Sequence, residues 1–344
     1  MDMEKKNLAL TIMEPGRMAL VPQEIPVPKE DEVLIEVHYV AVCGSDVKLY
    51  AGTYTAPHSY PVVMGHEWLG TIRQKGSEVK LPVGLTVVGD CSLYCGECYY
   101  CGVNKNHCET IEKKGITVDG GAANFIVVKE RHVNACPSSD HPMLLTLTEP
   151  MSVAVNGIRN RVPDDVLKRT RRALILGCGG IGLMSLFTLL DAGIPEIVMV
   201  DVLADKVSRV QGFGFPQVRA ECCNTQEISE ERIGTFDLIV EATGHGESLQ
   251  QSLTVINPCG HLVCLGHQAP MEFDFGTVIK KSLTIHASNG STGGFPKAME
   301  QILTYSPYVE QMIMEVVPLS ECEHLFERKE LFASAIKVLI DMSK

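Results

Sequence analysis

The sequence predicts an α/β protein of two domains, in which a doubly wound parallel sheet follows a β-rich domain. Three observations support this prediction. The chain has 344 residues, which is more than one hydrophobic core usually organises. Short apolar runs broken by turn residues fill the first third, as in antiparallel sheets. Strand-like and helix-like apolar segments then alternate through the middle third, as in parallel sheets.

The changes in pattern set the expected boundaries. Residues 1–150 are predicted to form the β-rich domain, and residues 151–287 are predicted to form the parallel α/β domain. Residues 288–344 contain two amphipathic stretches, Pro296–Thr304 and Leu331–Met342, that are able to cover either domain. The segments on which the α/β prediction depends are the strands Ala173–Leu176, Glu196–Val200, Phe236–Val240 and His261–Leu265, with the helices Ile181–Leu190 and Ala204–Gly212.

Charge and composition exclude several classes of protein. The chain carries 30 Lys and Arg against 42 Asp and Glu, a formal net charge of −12. Because there is no basic run, nucleic acid and anionic membranes are not expected as partners. The N-terminus lacks the apolar core of a signal peptide, and a glycine cluster interrupts the uncharged stretch Ala173–Leu190. We therefore predict no membrane span and a cytoplasmic location.

A glycine motif at a strand-to-helix junction predicts a dinucleotide site. Gly177-Cys-Gly-Gly-Ile-Gly182 follows the strand Ala173–Leu176 and opens the next helix. In such a motif the glycines permit the tight turn, the approach of the pyrophosphate and close helix packing. An incidental turn is the alternative, but this context favours a Rossmann coenzyme domain. The predicted cofactor contacts are Gly177, Gly179, Gly180, Ile181, Gly182, Asp201, Thr243 and Gly266.

Asp201, at the end of the second strand, predicts NAD in preference to NADP. A carboxylate at this position accepts hydrogen bonds from the ribose hydroxyls and repels a 2′-phosphate. The next residue is Val202, where an arginine or lysine would favour that phosphate. Asp201 is also able to cap the helix that begins near Ala204, and the two roles are compatible.

Four of the 13 cysteines predict a zinc site. An odd number of cysteines in a chain without a signal peptide argues against a disulfide framework. In Cys95-x2-Cys98-x2-Cys101-x6-Cys108, four thiolates lie close enough in sequence to close a tetrahedral zinc site. Because sulfur fills all four positions and leaves none for water, this zinc is expected to be structural.

A second set of metal-binding residue types is dispersed. Cys43 and His66 each follow an apolar strand, and Glu149 lies at the presumed domain boundary. Each residue alone has a simple structural explanation: a core cysteine, a hydrogen-bonded histidine and a carboxylate at a helix start. Their joint occurrence beside a dinucleotide motif is what suggests a second metal site.

With these motifs in place, the sequence resembles the zinc-dependent medium-chain alcohol dehydrogenases, and within them the polyol (sorbitol-type) and threonine dehydrogenase branch. The resemblance extends over nearly the whole chain and keeps the family's order of motifs. The matching segments are Cys43-Gly-Ser-Asp46, Gly65-His-Glu67, the four-cysteine loop, Asp119-Gly-Gly121, Glu149-Pro-Met-Ser152, the glycine motif and Val240-Glu-Ala-Thr-Gly244.

The resemblance implies that a GroES-like, β-rich catalytic domain is completed by residues 288–344. It also implies a catalytic zinc held by Cys43, His66 and Glu149, with one position open. Glu67 is then a catalytic carboxylate that ligates in one state and swings away in another. Two zinc ions per chain and a homodimer or homotetramer are expected.

The activity that the resemblance implies is reversible oxidation of a secondary alcohol to a ketone, with hydride transfer to NAD. Ser45 would accept the hydroxyl proton. The expected substrate is a small polyhydroxylated molecule: a sugar alcohol, a polyol phosphate or a cyclitol, including aminocyclitols such as 2-deoxy-scyllo-inosamine. Lys48 replaces a relay histidine common in relatives and is able to contact a phosphate. Trp68 either shapes the pocket or packs in the core.

Two other functions are considered. A non-catalytic NAD-binding zinc protein, acting as a redox sensor or scaffold, is the alternative from a different class. Ser45 and the open metal position argue against it. A zinc-free quinone reductase of the same superfamily is excluded, because both sets of metal-binding residues are present.

Overall fold

The structure, a computed structural model, describes residues 7–266 and 270–344. The described chain divides into two compact units, one formed by residues 7–149 with 298–344 and the other by residues 150–266 with 270–297. The C-terminal segment thus groups with the N-terminal part of the chain. The second unit ends at residue 297, where the sequence suggested 287.

Strands form most of the first unit and the centre of the second. In chain order they are β1 (Asn7–Glu14), β2 (Arg17–Gln23), β3 (Glu32–Ala41), β4 (Val62–Val63), β5 (Glu67–Lys75), β6 (Thr86–Gly89), β7 (Ser92–Leu93), β8 (Glu112–Lys113), β9 (Phe125–Lys129), β10 (Val133–Ala135), β11 (Arg172–Leu176), β12 (Glu196–Asp201), β13 (Val218–Cys222), β14 (Phe236–Glu241), β15 (Ile256–Cys264), β16 (Thr284–Ala287), β17 (Ile313–Pro318) and β18 (Lys337–Asp341).

Helices connect these strands. They are α1 (Gly44–Ala51), α2 (Tyr99–Val103), α3 (Thr148–Ile158), α4 (Asp164–Arg169), α5 (Gly180–Asp191), α6 (Ala204–Gly212), α7 (Glu230–Ile233), α8 (Gly246–Val255), α9 (Phe275–Lys280), α10 (Phe295–Thr304), α11 (Ser306–Glu310) and α12 (Lys329–Ser334). Within residues 7–266 and 270–344, none combines the length and the hydropathy that a membrane crossing requires.

The first unit is built around a seven-stranded sheet. Its order is β10-β6-β5-β3-β18-β17, and β9 also pairs with β3. Strand β3 lies at its centre. The branched side chains of this strand suit a pleated surface, and Val33, Ile35 and Val40 are fully buried. β18 pairs antiparallel with β3, so the C-terminal segment completes this sheet. A smaller sheet has the order β2-β1-β4.

The second unit contains a six-stranded parallel sheet with the order β13-β12-β11-β14-β15-β16. In the central strand β11, residues Ala173–Leu176 are at most 1% exposed, as expected for a strand covered on both faces. The predicted fold class, a doubly wound parallel sheet with a β-rich domain, is confirmed. Ligands of such sheets bind at the carboxyl ends of the strands, which is where the glycine motif and Asp201 lie.

Candidate active site and cofactor site

The four cysteines predicted to bind a structural zinc form one cluster. The Sγ atoms of Cys95, Cys98, Cys101 and Cys108 all lie within 4.8 Å of one another, in the loop between the paired strands β7 and β8. Backbone N–H groups point at the sulfurs, with Gly96 N 3.3 Å from Cys101 Sγ. The N–H of Cys95 lowers the pKa of Cys108 to about 6, whereas burial raises the pKa of Cys101 to about 12. Four sulfur atoms this close together are a donor set that fits zinc.

Three of the residues predicted to bind the catalytic zinc also converge. Donor atoms of Cys43, His66 and Glu67 lie within 4.8 Å of one another; we call these residues the metal-binding group. Cys43 immediately precedes α1, whereas His66 and Glu67 stand at the start of β5. The pairing of β3 with β5 places Glu67 opposite Ala41, two residues before Cys43. A thiolate, an imidazole and a carboxylate are a donor set that suits zinc.

The first turn of α1 contacts both ring nitrogens of His66. Nδ1 lies 3.5 Å from Oδ1 of Asp46, and Nε2 lies 3.3 Å from Oγ of Ser45. Burial disfavours the imidazolium, but the negative charges of Asp46 and Cys43 outweigh it and raise the pKa of His66. A carboxylate at one ring nitrogen orients an imidazole whose other nitrogen binds a metal. Ser45 and Asp46 therefore lie at opposite nitrogens of the ring.

Glu67 forms a buried ion pair with Lys337 of β18. Lys337 Nζ donates to both carboxylate oxygens, at 2.5 and 2.6 Å. The side chain of Glu67 is 0% exposed and that of Lys337 is 6% exposed. Burial raises the pKa of Glu67, and the charge of Lys337 opposes this rise. Glu67 thus enters the metal-binding group as a carboxylate whose charge is balanced by a lysine.

Glu149 lies outside the metal-binding group but next to it. Its charge acts on both Glu67 and Lys337, and its Oε1 accepts a hydrogen bond from Cys91 Sγ, 3.4 Å away. Burial, followed by the charge of Glu149, raises the pKa of Cys91 to about 12. Of the two predicted carboxylate ligands, the structure brings only Glu67 into the group.

Two further residues singled out in the sequence have different environments. Trp68 is 1% exposed, and a Cβ added to Gly89 or Gly121 would lie 1.8 or 2.5 Å from its side chain. Trp68 therefore packs in the core, between two glycines. Lys48 is exposed on α1, three residues after Ser45, and residues three apart share one side of a helix.

The glycine motif lies between β11 and α5. Gly177 has φ of 99°, a conformation that favours glycine. A Cβ added to Gly179 would meet nothing within 4 Å, whereas one added to Gly182 would lie 1.9 Å from the carbonyl oxygen of Gly177. Gly180 and Ile181 begin α5. Open space above a helix N-terminus suits a pyrophosphate, so this cradle fits a dinucleotide.

A cavity of about 760 Å³ opens beside this motif. Asp201 lines it from the end of β12. Oδ2 of Asp201 accepts a hydrogen bond from Cys178 N at 2.8 Å, and Oδ1 accepts one from Leu203 N at 2.9 Å. Two backbone donors therefore fix the carboxylate that is predicted to select the ribose.

Thr243 and Gly266 are arranged around the buried Glu241. Oε1 of Glu241 accepts hydrogen bonds from Thr243 N at 2.7 Å and Gly244 N at 3.1 Å. A Cβ added to Gly266 would lie 2.5 Å from Oε2 of Glu241. Thr243 lines the cavity, whereas Gly266 packs against the loop that carries Thr243.

Three residues that shape these sites were not predicted from the sequence: Lys337, Cys91 and Glu241. Lys337 lies 270 positions from Glu67 in the sequence. The sequence indicates its role only through the presence of a lysine in an apolar strand. Every residue of that strand is buried, so its burial could have suggested a buried partner. Cys91 does not belong to any spacing typical of metal ligands. Glu241 lies in the matching segment Val240–Gly244, which indicates no role for it.

The comparisons with known proteins agree with this arrangement. Residues 29–138 match the family model for the alcohol dehydrogenase GroES-like domain, and residues 143–342 match the model for the glucose dehydrogenase C-terminus. Fold and sites together define a zinc-type dehydrogenase with a nicotinamide cofactor. The chain belongs to the zinc-dependent medium-chain alcohol dehydrogenases, in their polyol and threonine dehydrogenase branch.

Relatives span nearly the full chain. D-altritol 5-dehydrogenase of Agrobacterium fabrum is 25% identical over 96% of this chain and 98% of its own. D-arabitol-phosphate dehydrogenase of Enterococcus avium is 26% identical over 98% of each chain. The crystal structure of the alcohol dehydrogenase RspB of Escherichia coli CFT073, complexed with NADH, has a TM-score of 0.86 and 25% identity and covers 98% of this chain and 99% of its own.

Proposed function

We propose that this dehydrogenase reversibly oxidises a secondary alcohol of a polyhydroxylated substrate to a ketone, with NAD as the hydride acceptor. The observation that carries the proposal is the convergence of Cys43, His66 and Glu67 within 4.8 Å, with the Ser45 hydroxyl 3.3 Å from His66 Nε2. A metal-binding group beside a hydroxyl that is able to take a proton suits the oxidation of an alcohol.

Two zinc ions per chain are part of this proposal. Cys43, His66 and a carboxylate would hold the catalytic ion, and the four cysteines of the β7–β8 loop would hold a structural one. When bound, the catalytic zinc supplies Lewis-acid polarisation of an alcohol oxygen, and NAD accepts the hydride. Either Glu67 or Glu149 serves as the carboxylate ligand, and Glu149 is the predicted one.

The chain's own residues account for the proton. Ser45 Oγ would accept the proton of the substrate hydroxyl and pass it on to the cofactor ribose or to water. Asp46 orients His66 from the opposite ring nitrogen. Burial of His66 and Glu67 keeps water away from this side of the group, which strengthens the electrostatic interactions within it.

NAD rather than NADP is proposed as the cofactor. Both oxygens of Asp201 are held by backbone N–H groups, so the carboxylate cannot easily turn away from a 2′-phosphate. Lys206 lines the same cavity, and it is the cation that would have to compensate for that repulsion. One fixed carboxylate against one flexible lysine favours NAD.

A polyhydroxylated substrate is supported by the relatives, two of which are named for altritol and for arabitol phosphate. Lys48 bears on the choice between a free polyol and its phosphate, since it is exposed and follows Ser45 by three residues on α1. No salt bridge to Lys48 is present among the described residues. A phosphorylated polyol is therefore the variant of the substrate that this residue favours.

The experiment is to measure NADH formation at 340 nm across sugar alcohols, polyol phosphates, cyclitols and aminocyclitols. We expect turnover with at least one class, lost after zinc removal and restored by zinc. Turnover with none of them, while NADH and zinc still bind, would support the non-catalytic alternative. A homodimer or homotetramer, located in the cytoplasm, remains our prediction, and light scattering after gel filtration checks the oligomeric state.

A further inference from the structure

Cys91 is a buried thiol beside the predicted catalytic residues, and the proposed reaction does not use it. Its Sγ donates to Oε1 of Glu149 at 3.4 Å. Cys91 is 5% exposed and Glu149 is 8% exposed. A thiol is a weak donor, but a hydrogen bond between two groups that are shielded from water is stronger than the same bond in water. This contact therefore affects where the carboxylate lies.

The backbone around Cys91 is fixed on both sides. Asp90 N donates to His132 O at 2.8 Å, and Lys114 N donates to Cys91 O at 2.9 Å. Ser92 N donates to Oδ1 of Asp90 at 2.9 Å. Cys91 thus stands at the base of the β7–β8 pair, whose loop carries the four-cysteine cluster. A short side chain on an anchored backbone keeps its Sγ in one place.

Glu149 needs such a fixed partner more than its neighbours do. Cys43 and His66 have short or ring side chains, and Lys337 pins Glu67 through both carboxylate oxygens. Glu149 has a long side chain near the start of α3, with several rotamers available. Its contact with Cys91 selects one of them, so the carboxylate is ready beside the metal-binding group.

We propose that Cys91 is a positioning residue, which holds the Glu149 carboxylate next to Cys43, His66 and Glu67 through an S–H···O hydrogen bond. The inference rests on the proposed function, because it takes this group as the catalytic metal site. Partners that orient metal-binding or neighbouring carboxylates commonly change metal affinity by about 10- to 100-fold when they are removed.

The test measures the affinity of the catalytic site for cobalt. The four-cysteine loop keeps its zinc during this measurement, and metal analysis verifies which site holds which metal. Cys91→Ala should weaken cobalt binding by about 10- to 100-fold. Cys91→Ser should recover most of the affinity, because a hydroxyl also donates. The matched control is Cys322→Ala, which removes another buried thiol whose Sγ donates to Pro318 O at 3.2 Å; it should leave the affinity unchanged.

A second background distinguishes positioning from general packing. In a Glu149→Ala chain, Cys91→Ala should have no further effect on cobalt affinity. An equal loss of cobalt affinity in both backgrounds would overturn the proposal. Loss of the thiolate-to-cobalt charge-transfer absorption in Cys91→Ser would also overturn it, because it would show that Cys91 is a ligand. If Cys91→Ala lowers the unfolding temperature, Cys91→Ser carries the test, and a loss of affinity in that variant contradicts the proposal.

The cobalt measurement needs no substrate. If no polyol is oxidised while the cobalt affinities follow the expected pattern, the proposed function fails and the role of Cys91 stands. If polyols are oxidised and the affinities do not depend on Cys91, the proposed function stands and the role of Cys91 fails.

Discussion

Lys337 Nζ donates hydrogen bonds to both carboxylate oxygens of Glu67, although 270 positions separate the two residues. The pair joins the last strand of the first unit to the start of β5, next to His66. A residue from the C-terminal segment therefore stands directly behind the metal-binding group. The segment contributes to the chemistry of the site as well as to the sheet.

The first prediction concerns this ion pair. Lys337→Met leaves Glu67 buried without a counter-charge, so the free energy of unfolding should fall by about 3–5 kcal/mol, measured by urea denaturation. The control is Lys129→Met, which breaks the exposed pair with Asp31 and should cost at most about 1 kcal/mol. Equal losses for the two variants would mean that burial does not set the strength of the Glu67 pair.

The second prediction concerns the four-cysteine cluster. Cys98→Ser should reduce the zinc content from two ions to one per chain and lower the unfolding temperature, because a structural zinc contributes directly to folding. Metal analysis and thermal unfolding measure the two effects. Cys222→Ser, at an exposed cysteine, is the control and should change neither. A chain that keeps all its zinc after Cys98→Ser would contradict the structural assignment.

The third prediction concerns Ser45. Ser45→Ala should keep its zinc, because Ser45 contributes no atom to the metal-binding group, and should lower kcat by about 10²- to 10⁴-fold, the range for a lost proton-transfer group. Steady-state kinetics and zinc analysis check this. Ser59→Ala removes an exposed hydroxyl of the same unit, bonded to Thr117 O, and should retain full activity. Unchanged kcat in Ser45→Ala would exclude Ser45 from the proton path.

The fourth prediction separates the two carboxylates. Glu149→Gln should lose the catalytic zinc or most of the activity, as expected for the third ligand. Glu67→Gln should be compared with the double variant Glu67→Gln/Lys337→Met, because the single change alone leaves Lys337 buried without its counter-charge. Our assignment is wrong if Glu149→Gln keeps both zinc and full activity while both Glu67 variants lose the metal.

The fifth prediction concerns the cofactor. The kcat/KM for NAD should exceed that for NADP by at least about tenfold, which corresponds to roughly 1.4 kcal/mol. Asp201→Ala should reduce this ratio, because the fixed negative charge beside the 2′-position is removed. Asp205→Ala, at an acidic residue in the next helix, should leave it unchanged. A ratio near one in the unmutated enzyme would show that Asp201 does not select the ribose.

Local patterns predicted the fold and several of the residues that the structure brings together. The four cysteines were expected to cluster because all lie within one short loop, and α6 begins and ends where its pattern did. β15 begins five residues earlier than predicted, at Ile256, because Ile256 pairs with Phe236 before the register shifts. Asn257–Gly260 oppose the single residue Asp237, and Cys259 has φ of 58°, so this segment is an irregularity within the strand, as its turn-forming residues suggest.

Contacts between distant segments could not be predicted. The amphipathic stretch Leu331–Met342 divides between α12 and β18, because residues 337–341 pair with β3 and β17. No local pattern reveals which strands accept them. The same holds for Cys91 and Glu149, which are 58 positions apart and meet only once the sheets have formed. Spacing identifies ligand types, whereas packing decides which carboxylate reaches the metal-binding group.

The burial of Trp68 between Gly89 and Gly121 has a consequence for spectroscopy. Trp68 is the only tryptophan of the chain, and it belongs to the first unit. Selective excitation of the indole therefore follows the unfolding of that unit alone, and its emission should shift to longer wavelength as water reaches the ring. The parallel sheet of the second unit is silent in this signal and must be followed by circular dichroism. Coincident transitions in the two signals would show that the units unfold as one cooperative body.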